Sequence, residues 1–594
     1  MKSKKRVLTA VILAFVFLVT SFGTILAEES ADKPANIDSL PRNETLYFNG
    51  MQWGPIVSFN PLSSSNNNVW LFGQGDAAIV LMYETLYMYN MNDGKLYPLL
   101  ADGDYEQDGN VFTIKIKKAA HWSDGEPLTA HDVVYSYKLN AEMQTNMAEA
   151  MDWIDEIEAI DNYTVQITAK EEGFNPYKIV EYFPKMYILP EHQMSKLVER
   201  NDGDPAKVKE DPNEDIVTSG PYLRYFDDTT RVIAIRDDNY WGQDESMWGK
   251  LPAPKYLAHM LFSDNNAGSV AFQQGEVDVS QQFIPQVWTL WEEGLPVSTY
   301  LDEEPYYIGG VIPMIAYNMN REGLDDPVIR RAIAMSVDYE QIGEAAMSGY
   351  TLPIEACLMN QTEPEQKLYR QEDIKDLQWT GLQTDEANEL LDEAGYVDSD
   401  GDGIREKDGE NLSFKIECPN GWTDWNATCE IVAAAGKEIG IEISTYFPEY
   451  HVYSEDIMGG NFDMVMVMYS GSSYVSPWMR IYQTLYSNYG ANQDAEQVFF
   501  NYGRFTNDEV DELIDKIPTM SEEEQIDAYT RINEIYLEEV PTFPCMYRPN
   551  SWHTVNESVW TNFPEADDGR NIPPQVLVCG YSIAGLYDLE LVNP

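Results

Sequence analysis

The chain has 594 residues and a formal net charge of −60, from 39 Lys+Arg against 99 Asp+Glu. So large an acid excess excludes nucleic-acid binding and docking on anionic lipid, and it disfavours strongly anionic ligands. Hydrophobic residues at 44% and aromatics at 12% exclude a mostly disordered chain, and the length suggests about four units of roughly 150 residues.

Residues 1–27 read as an export signal. Lys2, Lys4, Lys5 and Arg6 form a basic start, 7–26 is apolar, and Ala27 offers a cleavage point before Glu28 and Glu29. The run is long enough to span a bilayer if retained, but small and weakly polar residues thin its end, which favours removal. No cysteine lies nearby to carry a lipid anchor, so the expected location is the periplasm or the cell exterior. Residues 28–43 are a polar spacer with Pro34 and Pro41.

Strands and helices then alternate, which indicates α/β architecture. Residues 111–117 alternate apolar and polar, as a half-buried strand does. Residues 129–137 resemble a helix start with Thr129 as its cap. In 385–394 the spacing of Ala387, Leu390, Leu391 and Ala394 predicts an amphipathic helix that Gly395 ends. Further helices are expected over 507–517 and 521–537. The five cysteines (Cys357, Cys418, Cys429, Cys545 and Cys579) are few and odd in number for an exported chain. The core rather than a disulfide framework must therefore hold the fold, and a single bridge such as Cys418–Cys429 is compatible with that.

Residues for chemistry are sparse. The six histidines (His121, His131, His192, His259, His451 and His553) show no metal-ligand spacing, and there is neither a CxxC pair nor a phosphate-binding loop. Residues 73–78 loosely fit GxGxxA but lack an acidic partner and read as a Gly-rich turn. The stretch Gly580, Tyr581, Ser582, Ile583, Ala584 lacks the second glycine of a nucleophile elbow, and no histidine follows it. No enzyme activity and no required cofactor are expected. One acidic loop is sharper. Asp398, Asp400 and Asp402, with the Ile404 carbonyl and Glu406 nearby, match the opening of an EF-hand-like loop, although position 12 is Gly409. A structural Ca²⁺ and a plain Asx-rich turn before the strand 412–417 both fit.

A series of short motifs runs in one order through the mature chain. They are Tyr83-Glu84-Thr85-Leu86, the stretch Trp122-Ser123-Asp124-Gly125 continuing to Val133, Ser219-Gly220-Pro221-Tyr222, Asn239-Tyr240-Trp241, Gly275-Glu276-Val277-Asp278, Asp326-Pro327-Val328 continuing to Ile333, and Leu390-Leu391-Asp392-Glu393-Ala394-Gly395-Tyr396. Each is weak alone. As an ordered set they resemble the extracellular solute-binding proteins of ABC importers, in the peptide/oligosaccharide group called family 5.

The resemblance implies the two-lobed α/β periplasmic-binding-protein fold, with an extra domain in the first lobe and hinge closure on ligand. The divisions it suggests are 44–78, 189–306 and 549–594 for the first lobe's core, 79–188 for the extra domain and 307–548 for the second lobe. Crossings are expected near 307–317 and 540–548. A monomer working with an ABC permease is implied.

Peptide-binding members usually carry an acid for the peptide ammonium, just after the strand that follows a Gly-x-Phe-Asp motif. Here Gly460-Asn461-Phe462-Asp463 is followed by the strand 464–468 and then by Tyr469-Ser470-Gly471-Ser472-Ser473-Tyr474, without that acid. A buried ammonium would lack its counter-charge. The block from Glu417 to Trp425, and Val559-Trp560-Thr561-Asn562-Phe563-Pro564, are similar to cello-oligosaccharide-binding members. The expectation is a receptor for neutral β-linked gluco- or manno-oligosaccharides, with oligopeptides as the alternative. Sugar rings stack on aromatic faces and bond through their hydroxyl rim. Trp53, Trp70, Trp422, Trp425 and Trp478 are the expected stacking residues, and Asn60, Gln281, Asp424, Ser470 and Ser473 the expected rim. Trp122 and Trp241 fall in family-wide motifs and read as scaffold. Trp288 and Trp291 fit either role.

Overall fold

The computed structural model describes residues 40–50, 58–63, 81–487, 498–549, 552–574 and 580–593. The export signal, Trp53, Trp70, Cys579 and the Gly-rich 73–78 lie outside the described residues.

Fully apolar runs mark the centre of one sheet. Met314–Tyr317 and Met464–Val467 are buried along their whole length, as strands covered on both faces are. They pair antiparallel inside a five-stranded sheet ordered Glu442–Tyr446, Ser413–Glu417, Met464–Val467, Met314–Tyr317, Thr542–Pro544. Ser413–Glu417 and Glu442–Tyr446 run parallel, so a crossover must join them, and the helix Thr423–Glu438 supplies it.

A seven-stranded sheet gathers distant pieces of chain in the order Val297–Thr299, Thr554–Asn556, Val279–Ser280, Thr45–Asn49, Tyr256–Met260, Arg231–Arg236, Tyr222–Asp227. A separate four-stranded antiparallel sheet holds Glu106–Asp108, Val111–Lys115, Thr164–Ala169 and Ile154–Asp161. Its inner strands alternate buried and half-buried, which is the period-2 pattern read from 111–117.

Two apolar cores follow from these sheets. The first collects Phe48, Leu257, Ile114, Ile167 and the buried Trp122 and Trp241. The second collects Ile315, Met466, Ile532 and Phe543, and it extends to Phe272, Val287 and Trp552. The molecule is therefore two-lobed, mixed α/β. The segments expected to carry the chain between lobes lie side by side: Val311 and Arg548 form an antiparallel bridge, and Gly310 N–H donates to the Arg548 carbonyl at 2.8 Å.

Local signals end the helices where their chemistry predicts. Helix Ala130–Glu142 starts at Thr129, whose N–H and hydroxyl both donate to Asp132. Thr384–Glu393 runs up to Gly395, which takes φ +85°, a left-handed conformation that suits glycine. Asp508–Lys516 is capped by the Asn507 side chain, and Glu522–Glu539 by Ser521 with Glu524. Cys418 and Cys429 touch as hydrogen-bonded thiols, and with Cys357 and Cys545 they are free and buried. The compatible bridge is thus not formed.

One buried ion pair ties the second lobe together. Arg480 and Glu365 are essentially inaccessible and meet through two bonds of 2.7 and 2.9 Å. Arg480 also donates to the carbonyls of Ser470 and Leu358, and Glu365 accepts from Asn360 N–H. Removing one partner strands a buried charge, at a cost of about 3–5 kcal/mol. Glu365→Leu is expected to lose that much in urea unfolding, and Glu365→Leu with Arg480→Met to recover most of it. Equal losses in the single and the double variant would contradict this.

Candidate functional site

Where the two sheets' loops meet, the surface folds into two cavities that share Met468. The larger, about 900 Å³, has Gln281, Gln282 and Phe283 on one side and Trp422, Asp424 and Trp425 on the other, with Arg548 and Trp552 beside them. The smaller, about 350 Å³, lies between Tyr89, Glu181 and Lys185 and the loop 468–475, with Gly580 in its wall.

Backbone chemistry fixes the aromatic wall. Gly421, at φ +82°, turns the chain into the helix Thr423–Glu438, and its N–H donates to Asn426 Oδ1. Trp422 at that corner stays 41% exposed, stacked on Tyr450 with ring centres 5.8 Å apart and 27° between planes. Trp425, one turn on, is 4% exposed and meets Trp422 edge-on at 4.8 Å. Asp424 between them accepts from Arg548 Nε at 2.7 Å, and the Arg548 guanidinium lies 5.5 Å from the centre of the Trp552 ring. Arg548 also makes the bridge to Val311, so a residue of the expected crossing is itself part of the wall.

Polar atoms without hydrogen-bond partners among the described residues gather at and behind the opposite wall, where Gln281 lines the cavity and Asn49, Ser280 and His553 lie buried behind it. Among the described residues, both ends of the Gln281 amide, both ends of the Asn49 amide, the Ser280 hydroxyl and both ring nitrogens of His553 are buried with no hydrogen-bond partner in the protein. The strands bring them together. Gln281 N–H donates to the Asn49 carbonyl, Asn49 pairs with Ser280, and Ser280 pairs with Thr554, next to His553. Gly268 makes room for them, since a Cβ there would stand 2.5 Å from Asn49 Nδ2 and Gln282 Oε1. Burial holds the His553 imidazole down to about 4, so it is neutral at pH 7. All of these groups are neutral donors and acceptors.

Of the expected site residues, Gln281, Trp422, Asp424 and Trp425 line the larger cavity, and Ser470 and Ser473 the smaller. Ser470 N–H donates to Gln483 Oε1, and the Ser473 hydroxyl has no hydrogen-bond partner among the described residues. Asn60 and Trp478 line neither cavity. Asn60 is fully buried, with its amide donating to the carbonyls of Val208 and Asp211. Trp478 is 1% exposed and donates to the Ile514 carbonyl. Trp288 and Trp291, on the helix Trp288–Glu292, pack against Tyr306. Phe283, Arg548 and Trp552 are absent from the expected site; the expected crossing at 540–548 was the only signal near Arg548 and Trp552, and Phe283 had none.

In the acidic loop, carboxylate oxygens of Asp398, Asp400 and Asp402 converge within 4.8 Å of one another, all exposed. Asp398 accepts from the N–H groups of Gly401 and Gly403, Asp402 from that of Ile404, and Glu406 from that of Ser399. The donor set is hard oxygen, the kind that holds Ca²⁺. The same bonds also describe an Asx turn.

A family model described as bacterial extracellular solute-binding proteins, family 5 Middle, matches residues 95–492. A periplasmic oligopeptide-binding protein of an oligopeptide ABC transporter from Thermotoga maritima is 26% identical to the chain. One structure of it has a TM-score of 0.82 over 93% of this chain and 100% of that one. A second, with mannohexaose bound, has a TM-score of 0.78 over 94% and 100%. The oligopeptide-binding protein AppA of Bacillus subtilis is 23% identical over 77% of this chain and 79% of its own. The probable peptide-binding protein YejA of Agrobacterium fabrum is 25% identical over 50% of this chain, which spans 48% of that relative.

Two measurements test the site's chemistry. His553 titrates near 4 folded and near 6.5 unfolded, so below pH 6.5 the unfolded chain takes up a proton that the fold refuses. Stability is therefore lost as pH falls from 6.5 towards 4, by about 3 kcal/mol at 1.36 kcal/mol per unit, and His553→Gln is expected to flatten that limb of the urea-unfolding profile. Calorimetric titration of Ca²⁺ into chelator-treated protein checks the acidic loop. Heat that disappears in Asp400→Asn marks a bound ion, and no heat at millimolar calcium leaves a turn.

Proposed function

The chain belongs to the bacterial extracellular solute-binding proteins, family 5, and from that footing we propose that it captures a neutral oligosaccharide in the larger cavity and delivers it to an ABC permease. Its fold is the two-lobed periplasmic-binding-protein fold, and members of this family are binding proteins rather than enzymes. No helix among the described residues is long and apolar enough to cross a membrane.

One observation carries the sugar reading. The Gln281 amide on the cavity wall has no hydrogen-bond partner at either end among the described residues, and the groups packed behind it are neutral. Each end costs about 1–3 kcal/mol if left unsatisfied. A solute rich in hydroxyls, each both donor and acceptor, answers both ends of the Gln281 amide without bringing charge into the cavity. Trp422, Phe283 and Trp552 supply flat apolar surface for the C–H faces of a pyranose. Mannohexaose in the Thermotoga maritima relative supports the same class of guest.

The oligopeptide alternative rests on relatives named as oligopeptide-binding. The larger cavity offers little to a peptide ammonium. Asp424 is held by Arg548, and Asp264 is engaged in capping the helix Asn265–Gln273 through Ala267 N–H. An ammonium would have to displace a guanidinium 2.7 Å from its carboxylate.

Thermal shift separates the two. A panel of cello-, manno- and xylo-oligosaccharides and of tripeptides should show stabilisation by one sugar series alone, growing with concentration as mass action requires. Against the stabilising sugar, Trp422→Ala and Gln281→Ala are each expected to weaken binding by about 1–3 kcal/mol with the unliganded melting temperature little changed for Trp422→Ala. Stabilisation by tripeptides only would overturn the sugar assignment.

A further inference from the structure

Lys178 stands on the short helix Tyr177–Val180, whose Ile179 and Val180 are buried in the first core. A lysine usually keeps its ammonium in water. This one is 1% exposed and surrounded by rings. Its Nζ lies 5.3 Å from the ring centre of Trp153, which packs with the first core, and 5.7 and 4.6 Å from Trp478 and Tyr482. The last two stack on each other at 4.8 Å and 14° on the helix Trp478–Leu485 of the second lobe. Glu149, on the Lys178 side, is 3.4 Å away. Next to it, Tyr177 sets its ring edge-on to Trp478 at 5.7 Å.

We infer that Lys178 is a closure latch, a first-lobe cation inserted into an aromatic cage that the second lobe completes. Two of the three rings lie across the lobe boundary, so the full cage exists only while the lobes are together. Opening would return the ammonium towards water and uncover Trp478 and Tyr482. Glu149 travels with Lys178 and stays beside it in either state, whereas Trp478 and Tyr482 do not. Both halves of the latch lead into the smaller cavity's wall: Glu181 follows Lys178 by three residues, and Val475 precedes Trp478 by three. Lys178 is thus a positioning residue that touches no solute in this reading. Trp478, expected to stack on solute, is part of the cage instead. The inference rests on the two-lobed receptor fold and not on which solute it binds.

The test adds no solute, so it can fail or succeed independently of the sugar assignment. Spin labels at Glu199→Cys on the first lobe and Glu386→Cys on the second report the inter-lobe distance in the full mature chain. Lys178→Met and Tyr482→Leu are each expected to lower the closed-to-open ratio roughly tenfold, the scale of a desolvated cation–ring contact. Lys178→Arg should keep the wild-type distribution, because arginine makes the same contact. The double variant should shift no further than Lys178→Met alone, as residues of one contact do. Circular dichroism checks folding, and each lobe's variant serves if the other misfolds. Distance distributions unchanged in Lys178→Met and Tyr482→Leu would overturn the latch.

Discussion

The bridge between Val311 and Arg548 is the constraint on which the rest of the site depends. The two segments expected to cross between the lobes run side by side there. Arg548 belongs to that bridge by its backbone and to the cavity by its side chain, held to Asp424 on one side and near Trp552 on the other. On the proposed function, a guest that presses on this group touches a residue of the bridge itself, and no long relay would be needed to couple occupancy to closure.

The two walls are built on different physics. The Trp422 wall is a helix corner that sequence-local bonds hold in place before any guest arrives. The Gln281 wall is unfinished: among the described residues neither end of that amide has a hydrogen-bond partner. A site with one finished face and one unfinished face gains most from a guest that is flat on one side and hydroxylated on its rim.

How much of this was legible in the sequence depended on how local each signal was. Caps and helix ends were readable because Thr129, Asn507 and Gly395 act on neighbours within a few residues. Trp422 and Asp424 were readable because they stand in one short block that the fold keeps together at a helix start. Asn60 and Trp478 were not. Asn60 bonds to carbonyls about 150 residues away, and the Trp478 indole is enclosed by a helix that follows it by some thirty residues. The letter for tryptophan is the same whether the ring faces solvent or core. The groups on the smaller cavity's other side, Glu181 and Lys185, come from a segment with no motif at all, and only tertiary packing brings them there.

Met468 separates the two cavities while remaining 44% exposed. An unbranched thioether with three rotatable bonds is a soft partition. By swinging aside it would merge the chambers into one trough without disturbing either backbone. On the proposed function, the length of a guest would then bear on the position of this one side chain.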